Sequence, residues 1–184
     1  MTQNTLDTTI REPSETAGEA EMLLFSVDRS RAQFAWKVGG LDADALHRAH
    51  PPSEMTLGGL IKHLAFIEDE VTSRAFGWSP GVPWNPANWE ADPRWEWNSA
   101  ADDSPEKLYA LWQEAVARSR TAWQRVLTEG LDAPGRLTFP DGFTPNVRRI
   151  LVDLCEEYSR HVGHADLFRE AIDGLVGEDP PQPA

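Results

Sequence analysis

The sequence predicts an all-α protein, a bundle of four long helices. Three observations carry the prediction. Apolar residues recur at spacings of three and four along four separate segments, the period of an amphipathic helix. Each segment is followed by glycine, a common helix stop. Period-two alternation is scarce, and Arg136 to Phe139 is a short stretch too weak to read as a strand.

The first helix is read from Glu19 to Val38, with Leu23, Leu24, Val27, Phe34, Ala35 and Val38 as its stripe, broken by Arg31 and ended by Gly39-Gly40. The second runs from about Thr56 to Phe76, through Leu57, Leu60, Ile61, Leu64, Ile67 and Val71, with Gly77 after it. The third starts at Ser104-Pro105, a capping residue followed by a proline at the first helical position. It continues through Leu108, Leu111, Trp112, Ala115, Ala122, Trp123 and Val126 to about Glu129. The fourth runs from about Asn146 to Ile172, with Ile150, Leu151, Leu154, Cys155, Tyr158, Val162, Ala165 and Phe168 on one side and Gly174 at its end. Each helix can hide its stripe only against the others, as in a bundle.

Residues 1–18 lack periodicity and residues 177–184 are proline-rich, so both are expected to be disordered, flanking one domain over 19–176. The connection from Gly77 to Asp103 is long and carries Trp78, Trp84, Trp89, Trp95 and Trp97. Five indoles have too much apolar area to stay in solvent. The segment is read as a flap stapled over the bundle, or as the wall of a site.

Composition narrows the function. A formal net charge of −13 disfavours nucleic acid and anionic membrane surfaces as partners. No stretch approaches the roughly 18 uninterrupted apolar residues of a membrane span. The amino-terminal residues are polar and acidic rather than basic and then apolar, so a cytoplasmic protein is expected. The single cysteine excludes an internal disulfide framework and a Cys-based zinc knuckle, and its place on an apolar face reads as an inert buried thiol. Phosphate-loop and dinucleotide motifs are absent.

The chemistry lies in histidines and carboxylates. His47 and His50 sit in a loop beside Pro51-Pro52 and are read as exposed. On the fourth helix, Glu157, His161 and His164 are related as i, i+4 and i+7. At about 100° per residue they fall within an arc of roughly 60°, bordering the buried face. On the second helix His63 stands at the edge of the Leu60/Leu64/Ile67 stripe. Two helices that turn imidazoles toward a shared core, with a carboxylate such as Glu157, offer a first-row divalent cation three ligands and an open position. Zinc suits such a set best, and nickel and ferrous iron also fit. His164 is an alternative ligand to His161, a partner behind it, or a substrate contact. Glu70 and Asp153 are reserve carboxylates. Arg160, one turn before His164, would pair with Glu156 or with a substrate carboxylate; Glu156 itself faces solvent.

The segments TLGGLIKHLAFIEDE and EEYSRHVGHADLFREAIDG, with FGWSPGVPW and ADPRWEW between them, resemble the DinB-like superfamily in its branch related to mycothiol-dependent enzymes. The resemblance spans about Leu23 to Gly174. It implies an up-down-down-up or similar four-helix bundle, often dimeric, with a divalent metal held by His63, Glu157 and His161. The earlier position of the last pair is commonly histidine in other branches; here it is Glu157. The resemblance also implies a low-molecular-weight thiol as co-substrate, whose thiolate attacks a small electrophile. A metal-binding, stress-related bundle without turnover is the alternative.

Overall fold

The computed structural model describes residues 6–182. Four long helices dominate: α1 (Glu19–Val38), α3 (Leu57–Phe76), α5 (Pro105–Val126) and α6 (Val147–Asp173). Shorter pieces join them: α2 (Ala43–Leu46), α4 (Trp95–Asn98) and a 3-10 turn over Ser99–Asp102. Among the described residues there is no named strand, and residues 136–139 remain loop. The third long helix stops at Val126, short of the expected Glu129, because Leu127 leads into a turn that Gly130 closes with φ 89°.

Side chains cap the starts of α3 and α6. Thr56 Oγ1 accepts from the Gly59 amide at 2.9 Å, and Asn146 Oδ1 accepts from the Arg149 amide at 2.9 Å. Gly77 takes the left-handed conformation (φ 72°) that ends α3. Replacing Asn146 with alanine is expected to cost about 1 kcal/mol, read as a shift in the urea midpoint at constant slope.

Side-chain ties fix the helix directions. Arg148 at the start of α6 bonds Glu19 at the start of α1, and Arg169 near its end donates to the Lys37 and Gly39 carbonyls, so α1 and α6 are parallel. Tyr109 early in α5 donates to the Val38 carbonyl at the end of α1, at 2.7 Å, so α5 runs the other way. Lys62 early in α3 reaches Asp103, just before α5, at 2.6 Å, so α3 and α5 are parallel. The order is up, down, down, up. Phe34, Leu60, Ile61, Leu64, Trp123, Ile150 and Leu154 are buried in the common core.

That core also holds ions. Arg31, the residue that breaks the α1 stripe, forms a bidentate pair with the fully buried Glu68 of α3 at 2.7 and 2.6 Å. Tyr158 of α6 donates to the same carboxylate at 2.5 Å, Trp112 of α5 donates to Tyr158, and Ser119 accepts from Arg31. All four long helices meet in this network, which satisfies the buried charges it contains.

The described parts of the two terminal segments make defined contacts. Leu6 is buried against the core. Asp179 accepts from Arg29 and Gln33, the Gly177 carbonyl accepts from the buried Lys37, and Gln182 bonds the backbone of Thr8 and Ile10. Residues 1–5 and 183–184 of those segments lie outside the described residues.

Candidate metal centre

Antiparallel packing of α3 on α6 brings the inner edges of two distant segments together. His63 Nε2 lies 3.5 Å from Glu157 Oε2, and His161 Nε2 lies 3.3 Å from the same oxygen. The three donor atoms all fall within 4.8 Å of one another. These separations lie at or beyond the long edge of a direct N–H···O bond. They match the roughly 3.4 Å between neighbouring ligands that each sit about 2.1 Å from a tetrahedral cation. Two imidazoles and a carboxylate are also the right donor chemistry for zinc or a neighbouring first-row ion. The residues therefore fit a divalent metal.

The far nitrogen of each imidazole is supported as a ligand's should be. His63 Nδ1 lies 3.3 Å from Glu96 Oε1, so a proton on Nδ1 leaves the Nε2 lone pair facing Glu157. His161 Nδ1 lies 3.2 Å from His164 Nδ1. With His161 donating and His164 accepting, the His161 Nε2 lone pair likewise faces the centre. Glu96 is buried on α4, and its Oε2 has no hydrogen-bond partner. Trp97 of the same turn stacks on the His63 ring at 4.5 Å between centroids. Gly59 permits that approach: a Cβ there would meet Trp97 at 2.9 Å. Removing the support, Glu96→Ala, is expected to weaken metal binding about 10–100-fold in a competition titration with a chelating dye.

The charges agree with this arrangement. The adjacent His161 and then His63 imidazoles hold the Glu157 carboxyl well below the usual carboxylate range. Burial pushes the His63 imidazole down, but the neighbouring Glu157 and Glu96 carboxylates outweigh it and its pKa is raised. Burial, with His161 and Arg160 nearby, lowers that of His164 and favours its neutral form.

A family model described as mycothiol-S-transferase matches residues 22–174. The chain belongs to that family. Among solved structures, a conserved protein from Enterococcus faecalis shares the fold with a TM-score of 0.64 at 15% identity, covering 87% of this chain and 100% of that one. No curated protein matches the chain.

In this mycothiol-S-transferase relative, the Trp-rich segment is both staple and wall. Trp84 is fully buried and donates to Asp69 at 2.9 Å, and its ring meets Phe66 and Trp95 edge-on. Trp97 faces the His63 side, as above. Glu96, between two tryptophans, was not singled out by sequence reasoning. A lone acid inside an aromatic run is a usable signal, since it must find a partner when its neighbours are buried.

The other candidates fall outside the cluster. His164 stands behind His161 rather than beside Glu157. Glu70 pairs with Arg74 and Asp153 with Arg149, and burial raises the Glu70 pKa. Arg160 is exposed with no carboxylate within 4.0 Å among the described residues, so its expected pairing with Glu156 is absent. His47 and His50 are half-buried rather than exposed, because their loop packs onto the bundle end, where His50 stacks on Phe168 at 4.3 Å. Cys155 is half-buried against the Leu23 carbonyl, and burial pushes its thiol pKa up, away from the reactive thiolate. Among the described residues, no helix is long and apolar enough to cross a membrane.

Proposed function

We propose that this protein is a divalent-metal-dependent S-transferase that joins a low-molecular-weight thiol of the mycothiol type to a small electrophile. The observation that carries the reading is the convergence of two imidazole Nε2 atoms on one Glu157 oxygen at ligand spacing. The family match supplies the class of thiol. His63, Glu157 and His161 hold the cation, with zinc the best fit and nickel or ferrous iron the alternatives. A bound divalent cation supplies the Lewis acidity that keeps a thiol sulfur as thiolate near neutral pH.

The chain's own groups do the rest. Glu96 keeps the proton on His63 Nδ1, and His164 accepts from His161 Nδ1, so both rings stay oriented. His164 then carries its own proton on Nε2, where it can donate to a substrate oxygen. Trp97 covers one face of His63 and excludes water from it. Arg160, exposed and uncommitted, is the cation available to a substrate carboxylate. In the transfer a sulfur–carbon bond forms, the electrophile's leaving group departs with the electron pair of its bond, and the thiol proton passes to solvent. The need for a free thiol pool places the reaction in a reducing compartment such as the cytoplasm.

The test is conjugation of monochlorobimane by mycothiol, bacillithiol, glutathione and coenzyme A, using protein purified without a histidine tag. Conjugation with mycothiol is expected, lost on chelation and restored by added metal. Absence of metal-dependent conjugation with every thiol would leave only a binding role.

Metal affinity should also fall on acidification. His63 must lose its proton to bind a cation, and its pKa is raised. Below that raised value, affinity is expected to drop about tenfold per pH unit for this one proton. In the metal-free protein the sign reverses for His63. Its stabilising contribution is complete below the unfolded pKa of about 6.5 and is lost as pH rises through the folded value. The Glu157 contribution is present above about pH 4.3 and is lost as pH falls toward its depressed folded value. The metal-free site therefore stabilises most between these limits, and pH-dependent urea unfolding reads both limbs.

A further inference from the structure

We propose that the cavity between α3 and α5, roofed by Trp78 and Pro80, is a second binding site, for a small aromatic carboxylate. The cavity measures about 460 Å³, within the range of small-molecule sites. It lies on the far side of α3 from the metal centre. Thr72, which lines it, is nine residues after His63, about 180° around the helix.

The surface its walls present is mostly apolar, although most of the lining residues are polar or charged. Trp78 supplies an indole stacked on Phe76 at 4.6 Å, with 51% of the residue still exposed. Pro80 and the exposed methyl of Ala117 continue the apolar surface. A flat aromatic ring is the body that such a surface takes best.

The polar groups call for an anion. Arg118 lines the cavity, but its charge is balanced by Asp69 through two bonds of 3.0 and 2.9 Å. Arg125 is not balanced: among the described residues no carboxylate lies within 4.0 Å of it. The charged residues that line the cavity are thus two arginines and one aspartate, with Glu114 reaching Arg118 at 3.9 Å from outside the lining. A guanidinium fork matches a carboxylate in both geometry and charge. Thr72 closes the inner wall, with its hydroxyl shielded from solvent and the residue 5% exposed.

The test is calorimetric titration of the full chain with 1-naphthoate, and with the neutral 1-naphthalenemethanol as control. Naphthoate is expected to bind at one molecule per chain, and the alcohol at least tenfold more weakly. Arg125→Gln should weaken naphthoate binding at least tenfold, and Ala117→Trp, which fills the cavity, should abolish it. Both positions are exposed, so thermal unfolding should show both variants folded. His63→Ala should bind naphthoate as the wild type does, which keeps this site separate from the metal centre. No saturable binding, binding that survives either cavity variant, or binding lost with His63→Ala would overturn the proposal.

Discussion

Replacing Glu68 with alanine is expected to destabilise the protein by about 3–5 kcal/mol, the scale seen when one partner of a buried ion pair is removed. The substitution leaves the Arg31 guanidinium, 3% exposed, without its bidentate acceptor and with only the partly exposed Asp28 as counter-charge, at 2.8 Å. Tyr158 loses the acceptor of its 2.5 Å bond, and the link through Trp112 goes with it. Removing both charges is predicted to cost much less. In Arg31→Met/Glu68→Leu no uncompensated ion remains and apolar volume is kept, so most of the loss should be recovered. Urea unfolding of the two single variants and the double variant forms the cycle that separates the cost of an orphaned charge from the worth of the pair. If Glu68→Ala unfolds within 1 kcal/mol of wild type, the network does not hold the bundle together as described.

The second large effect concerns the centre itself. His161→Ala and His63→Ala are each expected to abolish stoichiometric metal binding and to reduce thiol conjugation to the uncatalysed background. Either change leaves one imidazole and one carboxylate, too few donors to hold a first-row ion against water and buffer. Glu157→Gln should act in the same direction, because it removes the anionic oxygen that both Nε2 atoms face. His164→Ala is the informative contrast. His164 touches the far nitrogen of His161, so its loss should weaken binding only within the 10–100-fold typical of outer partners. Metal content after dialysis against a weak chelator, measured beside conjugation rates for the same preparations, separates these outcomes. Full metal occupancy in His63→Ala would contradict the ligand assignment.

The long helices were legible because periodicity and capping agree. Thr56, Ser104 and Asn146 each accept a bond from a first-turn amide, and Gly77 and Gly174 each take the left-handed stop. The i, i+4 spacing of Glu157 and His161 was enough to place both on the margin of α6, and His63 on the edge of α3. Only the packing of α3 against α6 could place them at one level, since helix register across a bundle is not written in the period of either helix.

Other features were hidden for physical reasons. Arg31 interrupts an apolar stripe, and no local pattern says that a glutamate 37 residues away neutralises it. The segment between Gly77 and Asp103 has no period to read, so neither α4 nor the burial of Glu96 could be inferred. His47 and His50 looked solvated because short polar loops usually are. Here the loop instead folds onto α6 through the His50–Phe168 stack. Arg125 was not distinguished from other helix charges, because only the tertiary structure shows which arginines lack a carboxylate.

X-ray absorption at the metal edge, on protein loaded with one equivalent of zinc, tests the central claim most directly. Two imidazole nitrogens at about 2.0–2.1 Å and one or two oxygens at about 2.0–2.2 Å are predicted, with the imidazole signal lost together with the bound zinc in His161→Ala. A shell of oxygen alone, or an imidazole signal unchanged in that variant, would contradict it.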